Sequence, residues 1–187
     1  MKAIKKGYGD IMDKSILAVN KDSLERVLVK NPMIKSAQVY YSLDGYIHVN
    51  IQQREPILRV LTGEGYYVDR DGRVMPLSSK FTSRVVVATG DINKKFACEK
   101  LGPFAMKLKN EPFWDAYIEQ LVVRSNEDVV MIPKVGDFRI VLGKVDDCEA
   151  RLEKLMSFLK DGITKKGWNR YKEINLKFDN QVVCVRK

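Results

Sequence analysis

The chain has 187 residues, of which 45% are hydrophobic and 30% are charged, a composition typical of a globular protein with one medium-sized domain or two small ones. This composition excludes a disordered tail, and apolar runs such as residues 85–88 fall far short of the roughly 20 residues that span a bilayer. The net charge is +9, but the basic residues are scattered, which argues against nucleic-acid binding. Solvated faces are favoured, with an anionic membrane or partner surface as the alternative.

The first predicted element is a short amphipathic helix. Side-chain oxygens at residues 20–23 can cap its start. Leu24, Val27 and Leu28 then follow at the i, i+3, i+4 spacing of a helix with one buried stripe. Pro32 ends the helix, because a proline disfavours the helical conformation of the residue before it.

A β-hairpin is predicted next. Apolar and polar residues alternate over residues 37–42 and resume their alternation over residues 47–52. Asp44-Gly45 lies between the two runs, and this pair is a strong hairpin signal because glycine takes the positive φ that tight turns require. Each strand therefore has one apolar face, which the preceding helix can cover.

The chain from about Thr62 onward predicts a mixed α/β domain of short strands and two helices. The strands fall at residues 66–69, 74–77, 85–89, 117–124, 129–133 and 138–142. The first helix covers residues 104–117 with a break at Pro112, and its buried side consists of Phe104, Leu108, Phe113 and Trp114. The second opens at Asp146-Asp147 and ends at Asp161-Gly162, with an apolar stripe of Leu152, Leu155, Met156 and Leu159.

The last predicted element is a C-terminal hairpin. Its first strand carries Ile174, Leu176 and Phe178 on one face, Asn180-Gln181 forms the turn, and residues 182–185 return as a strand. A C-terminal strand is often a sheet edge, whose unpaired N–H and C=O groups can receive an incoming strand. The alternative is a hairpin that merely completes the sheet.

The sequence contains only weak signals for catalytic, cofactor or metal sites. His48 is the single histidine and is predicted to face solvent, while Cys98, Cys148 and Cys184 lack any metal-ligand spacing and are best interpreted as small buried hydrophobes. Residues 69–72 resemble the opening of a calcium loop without its later ligands, so a turn is favoured there. No catalytic residue, cofactor site or metal site is therefore predicted.

Several segments in order carry a family resemblance. Asn31-Pro32, "IKSAQVYYSLDGYIHVNIQQREPILRV", "YYVDRDGRVMPLS", "RVVVATG", "FRIVLG" and "INLKFDNQVVCV" resemble the FtsQ/DivIB cell-division proteins of Bacteroidetes-type bacteria. The resemblance implies an α+β fold: a truncated POTRA domain over residues 1–60, made of a helix and a β-hairpin, and a mixed α/β "β domain" over residues 61–187 that ends in a C-terminal β-hairpin. It also implies that the first POTRA strand is missing, with residues 1–6 as the tail of a first helix.

The same resemblance implies a function without catalysis. Family members are scaffolds of the divisome in the inner membrane, and their periplasmic C-terminal region receives FtsB by strand addition with FtsL alongside. Here this implies partner-binding residues Ile174, Leu176, Phe178, Asn180, Gln181, Val182 and Val183. Phe178 stands where the family has an aromatic anchor, although the turn lacks the serine and glycine of the enterobacterial pattern and no tryptophan follows the last strand.

A POTRA-type module that binds extended polypeptides during outer-membrane assembly is the alternative function. Tandem POTRA repeats would be expected of such a protein. The chain has no second copy of its Asn-Pro and Asp-Gly pattern, which favours the division scaffold.

Overall fold

A computed structural model of the protein describes residues 19–78, 82–163 and 170–187. The chain divides into two compact units between Glu55 and Pro56. The predicted boundary lies later, between residues 60 and 61, whereas the strand Pro56–Val60 pairs with strands of the second unit. The prediction about the first POTRA strand falls on residues 1–18, outside the described residues.

The first unit contains helix α1 (Lys21–Val29) and the antiparallel strands β1 (Ile34–Tyr41) and β2 (Ile47–Gln53). The Asn20 side chain caps α1 by accepting a hydrogen bond from the Ser23 N–H at 3.0 Å, as the sequence predicts. The helix covers one face of the hairpin, and their shared core consists of Val19, Leu24, Leu28, Ile34, Ala37 and Val39.

The second unit is built on a nine-stranded mixed sheet with the order β11-β10-β9-β8-β7-β6-β3-β4-β5. Its strands are β3 (Pro56–Val60), β4 (Tyr66–Asp69), β5 (Val74–Pro76), β6 (Val86–Gly90), β7 (Ile118–Val123), β8 (Val129–Pro133), β9 (Arg139–Gly143), β10 (Tyr171–Asn175) and β11 (Val183–Arg186). Parallel pairing occurs at β3–β6, β6–β7 and β9–β10, and the other neighbours are antiparallel. The predicted α+β class and the C-terminal strand pair are confirmed.

The α-helices of the second unit belong to the two long crossovers between parallel strands. The β6–β7 crossover contains α2 (Lys94–Phe96), a π-helical turn (Ala97–Leu101), α3 (Gly102–Asn110) and α4 (Pro112–Tyr117), and the β9–β10 crossover contains α5 (Glu149–Ser157). Their buried side chains join one core with the same face of the sheet. None of the described helices has the length and apolar character needed to span a membrane.

The first crossover helix differs from its prediction. Helical structure begins at Lys94 instead of Phe104, because Asn93 caps α2 through the Phe96 N–H at 2.8 Å and the π-helical turn carries the helix into Gly102-Pro103. The predicted break at Pro112 is present. Phe113, predicted to be buried, is 41% exposed and was assigned wrongly.

The second crossover helix also begins and ends elsewhere than predicted. Asp147 has a φ of +46°, which no residue inside a right-handed helix adopts, so α5 begins at Glu149 and the Asp146-Asp147 pair lies before it. At the other end the helical segment continues as a π-helical turn, Phe158–Ile163, past the predicted stop at Asp161-Gly162. The buried stripe at Leu152, Leu155 and Leu159 is as predicted.

Candidate functional site

The candidate site is the outer edge of β11, at one end of the nine-stranded sheet. Among the described residues β11 pairs with β10 alone. The Lys187 N–H donates to the Arg170 carbonyl at 3.2 Å, so the backbone of Lys187 points toward β10. Since backbone direction alternates along a strand, Cys184 and Arg186 direct their N–H and C=O groups to the open side. Two residues of β11 thus offer strand-pairing groups.

The side chains of β11 divide between the two faces of the sheet. Cys184 packs against the core on the helix-covered face, together with the preceding Val182. Val183 and Val185 lie on the opposite face and are 36% and 48% exposed. An added strand would therefore meet two exposed valines on one face of the sheet.

The face opposite the helices continues from β11 into the sheet as a row of cross-strand neighbours. Val183 pairs with Asn175, Asn175 with Val141, Val141 with Val130, and Val130 with Val122. Val130 and Val141 are each only 2% exposed. The exposed Val183 is thus the outer end of a mostly apolar row.

The loop between β10 and β11 is held by hydrogen bonds from three directions. The Leu176 N–H donates to the Val141 carbonyl at 2.9 Å, and the Lys177 N–H donates to the Asn175 side chain at 3.0 Å. The Lys154 ammonium, on α5, donates to the carbonyl oxygens of Leu176 at 3.2 Å and Phe178 at 2.5 Å. Phe178 itself remains 46% exposed. The loop thus presents an aromatic ring from a fixed backbone.

The structure separates the seven predicted partner-binding residues into two groups. Ile174 and Leu176 are 0% exposed and belong to the core, so their side chains are not available at the surface. Val182 is partly buried against the same core, while the exposed members are Phe178, Asn180, Gln181 and Val183. Sequence reasoning missed Lys154, whose role no local pattern reveals. It also missed Val185, although its alternation with Val183 is a signal that could have found it.

The charges around the hairpin form ion pairs on its two sides. Arg139 contacts Glu173 at 2.7 Å, Lys177 contacts Asp128 at 3.3 Å, and Lys187 contacts Asp137 at 2.8 Å. The hydrogen bond and positive charge of Lys187 lower the pKa of the Asp137 carboxyl below its ordinary value. These pairs link side chains of the hairpin to the neighbouring strands and loops, and their exposure limits what each contributes to stability.

The structure gives no sign of ligand binding at the histidine or at the calcium-loop-like segment that the sequence singles out. His48 is exposed and stacks on Tyr40 with the ring centroids 4.9 Å apart. The Asp69 carboxylate accepts from the Asp71 and Arg73 N–H groups at 3.0 and 2.8 Å, which explains the 69–72 segment as a turn. No cluster of three metal-ligand side chains occurs within the described residues.

The three cysteines are free thiols with raised pKa values. Burial is the main cause at each of them, and Cys148 is 0% exposed. A raised pKa keeps the thiol protonated and unreactive at neutral pH. This arrangement fits the interpretation of the cysteines as small hydrophobic residues.

Comparison with known families yields two matches. Residues 55–185 match the family described as "FtsQ/DivIB, C-terminal related", and residues 1–52 match the POTRA-like domain. No curated protein matches the chain. The first match covers the whole nine-stranded sheet except the last residue of β11. Because it extends over more than half of the sequence, the chain belongs to the FtsQ/DivIB family.

Proposed function

We propose that this chain is the periplasmic part of a membrane-anchored divisome protein, and that it holds FtsB-like and FtsL-like partners at the β11 edge during septum formation. A role in cell division follows from membership of the FtsQ/DivIB family, whose members are generally non-catalytic scaffolds. The specific partners, the strand-addition mode and the absence of catalysis are part of the proposal.

The proposal depends on the outer edge of β11, which has no strand partner among the described residues. The backbone groups of Cys184 and Arg186 face away from β10 and can pair with an extended segment. Phe178, 46% exposed in the adjoining loop, supplies an aromatic group of the kind that dominates interface energies. Backbone pairing would set the register of the partner, and the aromatic ring would add affinity.

Titration of the protein with the periplasmic segments of its own FtsB-like and FtsL-like counterparts tests the proposal. We expect saturable binding, with slower amide exchange across residues 170–187 in the complex. Absence of binding by the folded protein would overturn the proposal and favour the polypeptide-binding POTRA alternative.

Replacement of Phe178 by alanine tests the aromatic contact. We expect the partner to bind about thirtyfold more weakly or worse, because truncating an interface anchor costs about 2 kcal/mol or more. The matched control is Phe113→Ala on α4, since Phe113 is comparably exposed at 41% but lies in the β6–β7 crossover and not in the β10–β11 loop. Equal affinities of the Phe178→Ala variant and the unmodified protein would remove Phe178 from the site.

A further inference from the structure

Lys154 links helix α5 to the loop that carries Phe178. Its ammonium donates to the Leu176 carbonyl at 3.2 Å and to the Phe178 carbonyl at 2.5 Å. An ammonium has three donors, so one lysine can satisfy both oxygens at once. Both carbonyl oxygens lie beyond the end of β10 at Asn175, outside its pairing with β11.

The position of Lys154 is fixed by its helix. The neighbouring Leu155 is 0% exposed and Leu152 is 6% exposed, so α5 is anchored in the core on either side of the lysine. Lys154 is itself partly buried, which strengthens a charge-assisted hydrogen bond relative to one in bulk water. The loop is therefore held to a rigid element.

Lys177 is held by its hydrogen bond to Asn175 and its ion pair with Asp128, but among the described residues few other contacts hold the loop beyond it. Residues 177–181 are exposed, and Asn180 adopts a left-handed backbone conformation with φ +56°. Leu176 anchors the near side of the loop in the core, but the exposed Phe178 ring is not buried there. The hydrogen bond to its carbonyl thus holds the backbone from which this ring projects.

We propose that Lys154 is a positioning residue of the docking site: it holds the β10–β11 loop so that Phe178 is presented outward and ordered before the partner arrives. The expected consequence, tighter partner binding, rests on the proposed function. The gain would come from preorganisation, since a fixed loop has less conformational freedom to lose on binding. Lys154 itself need not touch the partner.

Lys154→Met is the informative substitution, because methionine keeps most of the aliphatic stem and removes the ammonium. In the free protein we expect faster amide exchange at Leu176 and Lys177, whose N–H groups are hydrogen-bonded in the held loop, and an almost unchanged melting temperature. Partner binding should weaken by up to about tenfold, because the Phe178 side chain and its loop would then have to be ordered on binding. Lys154→Arg should restore slow exchange and affinity, since a guanidinium can donate to both carbonyls. Lys95→Met, at an exposed lysine of α2, is the matched control and should change neither property.

A double-mutant cycle separates positioning of Phe178 from a general effect on stability. If Lys154 acts through that ring, Lys154→Met should weaken binding little further in a Phe178→Ala background. Additive losses in the double variant would overturn the inference. Unchanged exchange of the loop in Lys154→Met would also overturn it, and this readout needs no partner. Failure of the unmodified protein to bind would instead reject the proposed function, while the exchange data still decide whether Lys154 holds the loop.

Discussion

At the scale of single residues, Glu25 occupies the outer side of β1. Its carboxylate accepts a hydrogen bond from the Val39 N–H at 2.7 Å, on the side of β1 away from β2. That N–H is a group that a strand added to β1 would need. The Glu25 side chain, which extends from α1, thus takes the place of a backbone acceptor for the Val39 N–H.

We expect Glu25→Ala to destabilise the first unit by about 1–3 kcal/mol, because the partly buried Val39 N–H loses its acceptor. Glu25→Gln should cost less, since its amide oxygen can still accept. Amide exchange of Val39 measures the local effect, and denaturant unfolding measures the free energy of unfolding. Asp22→Ala, at an exposed residue of the same helix, is the control. A Val39 exchange rate that Glu25→Ala leaves unchanged would contradict this assignment.

At the scale of elements, the C-terminal hairpin shows that alternation of apolar and polar residues predicts which side chains are buried but not where a strand ends. The pattern of Ile174, Leu176 and Phe178 predicts one continuous strand face, and the two aliphatic residues are indeed buried. The strand nevertheless ends at Asn175, because the Asn175 side chain takes the Lys177 N–H and turns the backbone. Side-chain competition for backbone hydrogen bonds depends on local geometry, so the period of the sequence does not reveal it.

Proline substitutions test which backbone groups of β11 face outward. Arg186→Pro should leave the hairpin folded but weaken partner binding, because the N–H that it removes points to the open side and edge strands tolerate proline there. Val185→Pro should instead disrupt the β10–β11 pairing, because that N–H points toward β10. Amide exchange of β10 reports on the hairpin, and titration reports on binding. Full affinity of a folded Arg186→Pro variant would exclude strand addition at this position.

The ion pair between Lys187 and Asp137 predicts a pH dependence of the chain end. Lys187 lowers the pKa of Asp137 from its ordinary value of 3.8. The ion pair therefore stabilises the chain end fully above pH 3.8, and this stabilisation is lost as the pH falls through the lower pKa of Asp137 in the folded protein. We expect the last residues of β11 to exchange faster at about pH 3 than near neutrality after correction for intrinsic rates.

Asp137→Asn is the control for this pH dependence. Its amide cannot ionise, so the end of β11 should show the same corrected exchange at both pH values. Since both groups are exposed, the global melting temperature of the protein should not depend on this pair. Equal pH dependence in the Asn variant and the unmodified protein would assign the effect to other groups.

At the scale of the whole molecule, the sequence predicts the elements better than their arrangement. Strong alternation and the Asp-Gly turn predict the first hairpin, and apolar runs predict the central strands of the sheet. The order of the nine strands depends on which non-neighbouring strands pair, such as β3 with β6. Such pairings join residues that are far apart in the chain, and no single segment encodes them.

The division at Glu55 and Pro56 predicts that the second unit folds and binds by itself. Residues 56–187 contain every strand of the nine-stranded sheet and the whole of its core cluster, so no hydrogen-bonded strand is lost when residues 1–55 are removed. Because the β11 edge, Phe178 and Lys154 all lie in this fragment, its affinity for the partner should be within about threefold of that of the full chain, a difference of less than about 0.7 kcal/mol.

A fragment starting at residue 61, the boundary predicted from the sequence, is the informative control. It lacks β3, which pairs with both β4 and β6, and it should therefore fail to fold cooperatively. If the longer fragment folds but does not bind, the first unit must contribute to the site, and the β11 edge alone would be insufficient for docking.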